Sequence, residues 1–339
     1  MVSRNNSNFA PGRPLEALDL KMRINDDLLS RIEADLCLNT PFVKGKKLPI
    51  RNCWHFYTDG SAVDVLFDSE QDFIVGMNRV YIASQSYEIT ILAFCLMDTH
   101  VHFILYGEYE QCNKFVHKFI LLTSKYIQFH HGESKKLRNL PVNHQFIDND
   151  FYLKVAICYV VKNPFVAGLP FNALDYPWSG NPLYFRRAGY WSSVNPPVAV
   201  QTGSFTKREQ MFFLKSKMQL PENLAIANNI VHPSEYVAYE VVEKIFRTHK
   251  SFNWFMSISK EEDVEAKGGI ISRLSIPIQE LRQNLRKICK ERFGVETTRT
   301  LSTQDRIKLA KLLRTRYNSS PKQITRACGL IYDEVKDMI

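Results

Sequence analysis

The sequence predicts an α+β fold: a central antiparallel sheet with helices packed on it, followed by an all-helical C-terminal region with a helix-turn-helix-like end. Three observations predict it. Two apolar, β-rich runs, residues 88–97 (EITILAFCLM) and 100–106 (HVHFILY), are separated only by Asp98 and Thr99, the spacing of an antiparallel pair. Helical periodicity flanks them at 68–84, 109–130 and 150–161. From Pro277 to the end the pattern is almost entirely helical.

The elements follow in chain order. Residues 1–48 read as a leader, polar at first and then amphipathic, with apolar residues at 24, 28, 29, 32 and 36 on one helical face. A basic, Pro-containing stretch leads into a first strand at 53–58. Asp68-Ser-Glu places acidic residues in the first turn of the helix that runs to about Ser84, where they suit the helix dipole. The strand pair comes next, then the long helix 109–130, with Phe115, Phe119, Leu122 and Tyr126 among its apolar positions. A polar connector, 132–143, carries Lys135, Lys136 and Arg138, and a further short strand precedes the last helix of this part. That helix, 150–161, takes Asp148 or Asp150 as its N-cap, and Pro164 should close it at Asn163. The order β-α-β-β-α, with the extra strand, is a sheet with helices on one face. Gly, Pro and Ser punctuate 181–204 as a linker, and Lys207 onward reads as helical again. In the tail, 303–317 is one helix, Ser320-Pro321 opens a second, Gly329 follows its end, and 331–339 forms a third. The expected division is therefore 1–48, a domain at 49–185, a linker and helical region at 186–272, and a basic helical domain at 273–339.

Composition narrows the function classes. A hydrophobic content of 45% supports packed cores, and no apolar run reaches the roughly 18 residues of a membrane span. The seven cysteines form no CxxC pair, so neither a disulfide framework nor a zinc knuckle is indicated, and a reducing cytoplasm is expected. Of the net charge of +9, residues 273–339 carry +8, from 15 Lys and Arg against seven Asp and Glu. A basic tail on a near-neutral body suggests a polyanion partner; a solvated helix face is the alternative.

Two elements carry chemistry. His100-Val-His102 in a β context puts both imidazoles on one face, where they are natural metal ligands, although an ordinary surface or core pair reads the same way. Tyr159 and Asn163 are spaced i, i+4, hence one turn apart on one helix face that Ala156 and Tyr152 continue. An amide oxygen beside two imidazoles would complete a partly open site for Mg²⁺ or Mn²⁺, with Tyr159 next to it. The alternative is a packed aromatic and a helix-terminal Asn.

These blocks resemble a family. Residues 94–105 (FCLMDTHVHFIL) are similar to the His-Val-His strand of HUH single-tyrosine transposases. Residues 159–169 (YVVKNPFVAGL) and the following Asp175-Tyr-Pro-Trp-Ser179 resemble the Asn-Pro and Tyr-Pro-Trp-Ser block of REP-associated tyrosine transposases. The resemblance covers about residues 50–185. It departs from the family at Asp98, Thr99 and Val166, and at 132–147, where Phe146 alone keeps the family's final aromatic. It implies an HUH, ferredoxin-like nuclease fold, His100, His102 and Asn163 as metal ligands, and Tyr159 as the nucleophile that cuts and rejoins hairpin-forming, single-stranded DNA through a 5′-phosphotyrosine. It allows a homodimer that exchanges the tyrosine helix as well as a monomer. A DNA-binding regulatory protein that keeps the fold without cleavage is the alternative.

The remaining candidates are weighed against these. Tyr126 competes as nucleophile but sits amid apolar residues, which favours a core role. His130 and His131 suit the C-terminal dipole of their helix, His117 suits a helix surface, and Trp54 and His55 pack on the sheet, where His55 could lie near the site. Phosphate contacts are expected from Lys135, Lys136 and Arg138 and, in the tail, from Arg314, Arg316, Lys322 and Arg326. Asp333, Glu334 and Asp337 argue against the last helix as a major-groove reader.

Overall fold

The computed structural model describes residues 25–41, 45–58, 66–132, 140–167, 169, 171–185, 200–258, 278–316, 321–331, 335 and 338. Its first part is α+β. A four-stranded sheet is built from β1 (Cys53–Thr58), β2 (Thr90–Leu96), β3 (Val101–Tyr106) and β4 (Val142–Phe146) in the order β2-β3-β1-β4, every pairing antiparallel. β1, β2 and β3 are almost wholly buried, and their aromatic, aliphatic and β-branched residues have the composition that suits a covered sheet.

The helices lie on both faces of this sheet, not on one. Alternation along β3 decides it: Phe103 points to one face, against Phe115 and Phe119 of α3 (Tyr109–His131), while His102 points to the other, against Tyr159 of α4 (Asp150–Val166). Helix α1 (Asp26–Asp35) is tied to the sheet as well: Ile32 is buried in the main core, and Asp35 accepts from Tyr106 and Asn52. Helix α2 (Glu70–Ser84) starts at a reciprocal cap, with Ser69 accepting from the Asp72 N–H and Asp72 from the Ser69 N–H.

Helix α4 differs from expectation at both ends. Asn149 is its N-cap, accepting from the Tyr152 N–H at 2.8 Å. The helix continues through Pro164 to Val166, because a proline in the last turn forfeits only its own N–H while the Ala167 N–H still reaches Asn163 O at 2.9 Å. The edge strand β2 is covered by the segment after α4. Tyr176 and Tyr184 donate to the Leu96 and Leu92 carbonyls, the Leu96 N–H to Trp178 O, and the Ala238 N–H to Ile91 O.

After 204 the chain is not simply helical. Helix α5 (Lys207–Leu214) is followed by β6 (Ala225–Ala227) and β7 (Ile230–Val231), which pair with β5 (Val200–Gln201) in a second small sheet. Asn228 and Asn229, at φ 51° and 62°, make the two-residue turn between β6 and β7, the backbone that a tight hairpin requires. Helices α6 (Tyr239–Phe246) and α7 (His249–Ile258) return to the main core through Val241, Val242, Ile245, Phe246 and Phe252.

Near the C-terminus, α8 (Ile278–Phe293), α9 (Thr303–Arg316) and α10 (Pro321–Cys328) share their own core of Leu285, Ile288, Leu309, Leu313 and Ile324. Gly329 follows α10 at φ +68°, and Arg306 donates to its carbonyl. The expected last helix, 331–339, falls mostly outside the described residues. No helix among the described residues is long and apolar enough to cross a membrane.

Candidate active site

His102 lies on β3, inward toward α4, and is 4% exposed. His100 is not on the strand: it ends the turn Asp98-Thr99-His100, which the Met97 N–H closes by donating to His100 O at 2.8 Å. Leaving the pleat rotates its ring, so the two imidazoles stand perpendicular, 4.9 Å between centroids, instead of parallel on one face. The turn is held from outside by the Leu66 and Phe67 N–H groups, both donating to Asp98 O.

Asn163, in the last turn of α4, meets both rings. Its Oδ1 is 3.3 Å from His100 Nε2 and its Nδ2 is 3.0 Å from His102 Nε2. Tyr159, one turn earlier, presents its ring edge-on to His102 at 5.4 Å and to His55 at 5.8 Å, and is 9% exposed. His100, His102, Asn163 and Tyr159 are thus brought together from β3, the turn before it and α4.

His55 belongs to the same cluster. It is 1% exposed, and its Nε2 lies 3.1 Å from His102 Nδ1. The sequence signal for it was a lone histidine in a first strand; only the register, Tyr57 opposite His102, puts His55 on the same face one residue pair away. Thr99 Oγ1 lies 2.9 Å from His100 Nδ1, a second partner that sequence reasoning did not assign.

Burial sets the charge state. Desolvation pushes the His55 imidazole down to about 3, and desolvation, then His100 and His55, hold His102 well below the ordinary histidine range. Both are neutral at physiological pH, the form that ligates metal. No cluster of three or more His, Cys, Asp or Glu side chains suited to a metal occurs among the described residues. The candidate set is therefore two imidazoles and an amide. One ligand pair has the required spacing: adjacent ligands of an octahedral ion at about 2.1 Å lie about 3.0 Å apart, and His100 Nε2 and Asn163 Oδ1 are 3.3 Å apart. His102 Nε2 faces the amide nitrogen at 3.0 Å, a contact that must open before the ring ligates.

The other candidates fall elsewhere. Tyr126 is buried on α3, on the opposite face of the sheet, beside Asp72 and His130; desolvation, then Asp72, raises its pKa. His131 donates to Asp72 at 2.9 Å, pinning the end of α3 to the start of α2. His117 is exposed, and Lys162 donates to Met256 O of α7. Lys135, Lys136 and Arg138 lie outside the described residues, as do the side chains of Arg314, Arg316, Lys322 and Arg326, whose backbones belong to α9 and α10.

No family model matches the chain, and no curated protein does. Among solved structures the chain is similar to a REP-associated tyrosine transposase bound to a REP hairpin, with 13% identity over 55% of this chain and 100% of that one, at a TM-score of 0.28.

Proposed function

We propose that the chain is a metal-dependent DNA transesterase that uses Tyr159 to nick and rejoin single-stranded, hairpin-forming DNA in the cytoplasm, as the single-tyrosine transposases that its motifs resemble do. One observation carries this reading. A phenol stands one helical turn from an amide that bridges the Nε2 atoms of two imidazoles. A divalent ion such as Mg²⁺ or Mn²⁺, held by His100, His102 and Asn163, would offset charge on the non-bridging oxygens of a scissile phosphate.

The chain's own residues do the rest. Tyr159 Oη attacks phosphorus in line; the bond to Tyr159 forms as the bond to the 3′ oxygen breaks. The phenol gives up its proton and the departing oxygen takes one, leaving a 5′-phosphotyrosine and a free 3′-OH. Attack by a 3′-OH on that link reseals a strand and restores the phenol, so no nucleotide cofactor is consumed. Lys135, Lys136 and Arg138, with the tail's Arg314, Arg316, Lys322 and Arg326, would hold the phosphate backbone.

A second reading, DNA binding without cleavage, is favoured by the burial of Tyr159. A labelled hairpin oligonucleotide with Mn²⁺ separates the two. The expected result is a covalent protein–DNA adduct that survives SDS and is lost in Tyr159→Phe. Binding with no adduct supports the second reading. Cleavage that persists in Tyr159→Phe means that water is the nucleophile and sinks the assignment.

A further inference from the structure

We propose that His55 and Thr99 are positioning residues, each holding Nδ1 of one imidazole so that Nε2 is aimed at the metal position; this rests on the metal-site reading above. The hydrogen-bond directions carry the argument. Asn163 Nδ2 can only donate, and it faces His102 Nε2 at 3.0 Å, so that nitrogen accepts and the His102 proton sits on Nδ1. Nδ1 then donates to His55 Nε2 at 3.1 Å. His55 must in turn carry its own proton on Nδ1, a buried atom with no hydrogen-bond partner among the described residues. A buried ring left with an unanswered donor calls for a reason. Here the reason is that this arrangement keeps the proton off His102 Nε2, whose lone pair accepts from the Asn163 amide in this state. His102 is therefore set as a ligand before any ion arrives.

His100 is prepared differently. Its Nε2 faces Asn163 Oδ1, an acceptor, so in this state Nε2 carries the proton and Nδ1 accepts from the Thr99 hydroxyl at 2.9 Å. Ligation requires the other tautomer: Nε2 releases its proton to water and Nδ1 takes one from water. The Thr99 hydroxyl serves both, donating in one state and accepting in the other after a rotation. His55 keeps one tautomer fixed while Thr99 permits two. Partners on the second nitrogen of a ligating histidine commonly govern metal affinity in this way.

The test uses the full chain with metal alone. Long-range ¹H–¹⁵N spectra of the imidazoles should show His102 protonated on Nδ1 both without metal and with Mg²⁺, while His100 changes from Nε2–H to Nδ1–H. Mn²⁺ affinity, read by electron paramagnetic resonance, should fall about 10- to 100-fold in His55→Phe and Thr99→Val. It should stay within a few-fold of the parent in His55→Gln, whose amide oxygen still accepts, and in Thr99→Ser. His102 found protonated on Nε2 in the parent overturns the proposal. So does a folded His55→Phe that binds Mn²⁺ within twofold of the parent, or no Mn²⁺ binding by the parent at all. If His55→Phe does not fold, the parent spectrum and His55→Gln decide. None of these readouts needs DNA, so loss of the DNA adduct alone would count against the transesterase and leave this inference standing.

Discussion

Gly76 shows how closely single residues of α2 are set. A Cβ there would lie 2.6 Å from Phe67 Cε1 and 3.1 Å from Leu96 Cδ1. Phe67 is itself locked in a stack, Phe67 on Phe73 at 4.9 Å and Phe73 on Trp178 at 5.0 Å, so its ring has little room to withdraw. Gly76→Ala gains about 1 kcal/mol of helix propensity but overpacks the core by about 1 to 3 kcal/mol, for a net loss of up to about 2 kcal/mol. Urea unfolding checks this, and a variant as stable as the parent would show that Phe67 yields. His55 makes a second prediction at this scale. Its folded imidazole titrates near 3 against an ordinary 6.5, so between those values the unfolded chain binds protons that the folded chain refuses. Stability is therefore complete above about pH 6.5 and falls as pH drops through that window, by at most about 1.4 kcal/mol per pH unit for this group. With chelator present, unfolding at pH 7.5 and pH 5 should show the drop, and His55→Gln should reduce it. An unchanged difference in that variant would assign the drop to other groups, such as His102, whose lowered pKa acts in the same window.

Among the elements, the small sheet β5-β6-β7 depends on one side chain of α2. Asn78 is fully buried; its Nδ2 donates to the Asn229 and Phe213 carbonyls and its Oδ1 accepts from the Val231 N–H. Asn78→Leu keeps the branched outline of the side chain and strands these buried backbone groups, which should destabilise by at least about 2 kcal/mol. Hydrogen exchange would locate the effect: faster exchange at Val231 and its neighbours is expected, whereas uniform loosening of the whole fold would argue against a local anchor. Helix α4 illustrates the opposite case, in which one element serves several roles. Asn181 donates to Val161 O near its end, Lys162 reaches Met256 of α7, and Asn163 reaches the histidines, so successive residues of one turn face three partners.

For the molecule as a whole, charge and site are separated along the chain. The +8 of residues 273–339 belongs to a helical unit with its own core, while the histidine cluster sits in the main sheet. If the tail holds DNA through phosphates, neutralising Lys322 and Arg326 should weaken binding similarly for all sequences and reduce the slope of log affinity against log salt by about one per charge. Filter binding at several salt concentrations reads it. An unchanged slope would return the tail to an ordinary solvated surface.

Local pattern carried much of the architecture. Strand β1 spans the run 53–58 that its composition indicates, α3 and α9 end within a residue of their periodic stretches, and Gly329 marks the end of α10. Those features depend on propensities and spacings that a short window of sequence contains. The hairpin between β6 and β7 was also readable, since Asn228-Asn229 between Ala-Ile-Ala and Ile-Val is a two-residue turn signal, but the helical pattern on either side hid it. For the site, the sequence by itself supplied the residue types and the i, i+4 spacing that puts Tyr159 and Asn163 on one face. Tertiary structure alone decided the rest: helices on both faces of the sheet, His100 turned out of the strand, and His55 behind His102. These outcomes depend on strand register and on hydrogen bonds between residues 47 to 63 positions apart, separations that no local periodicity encodes.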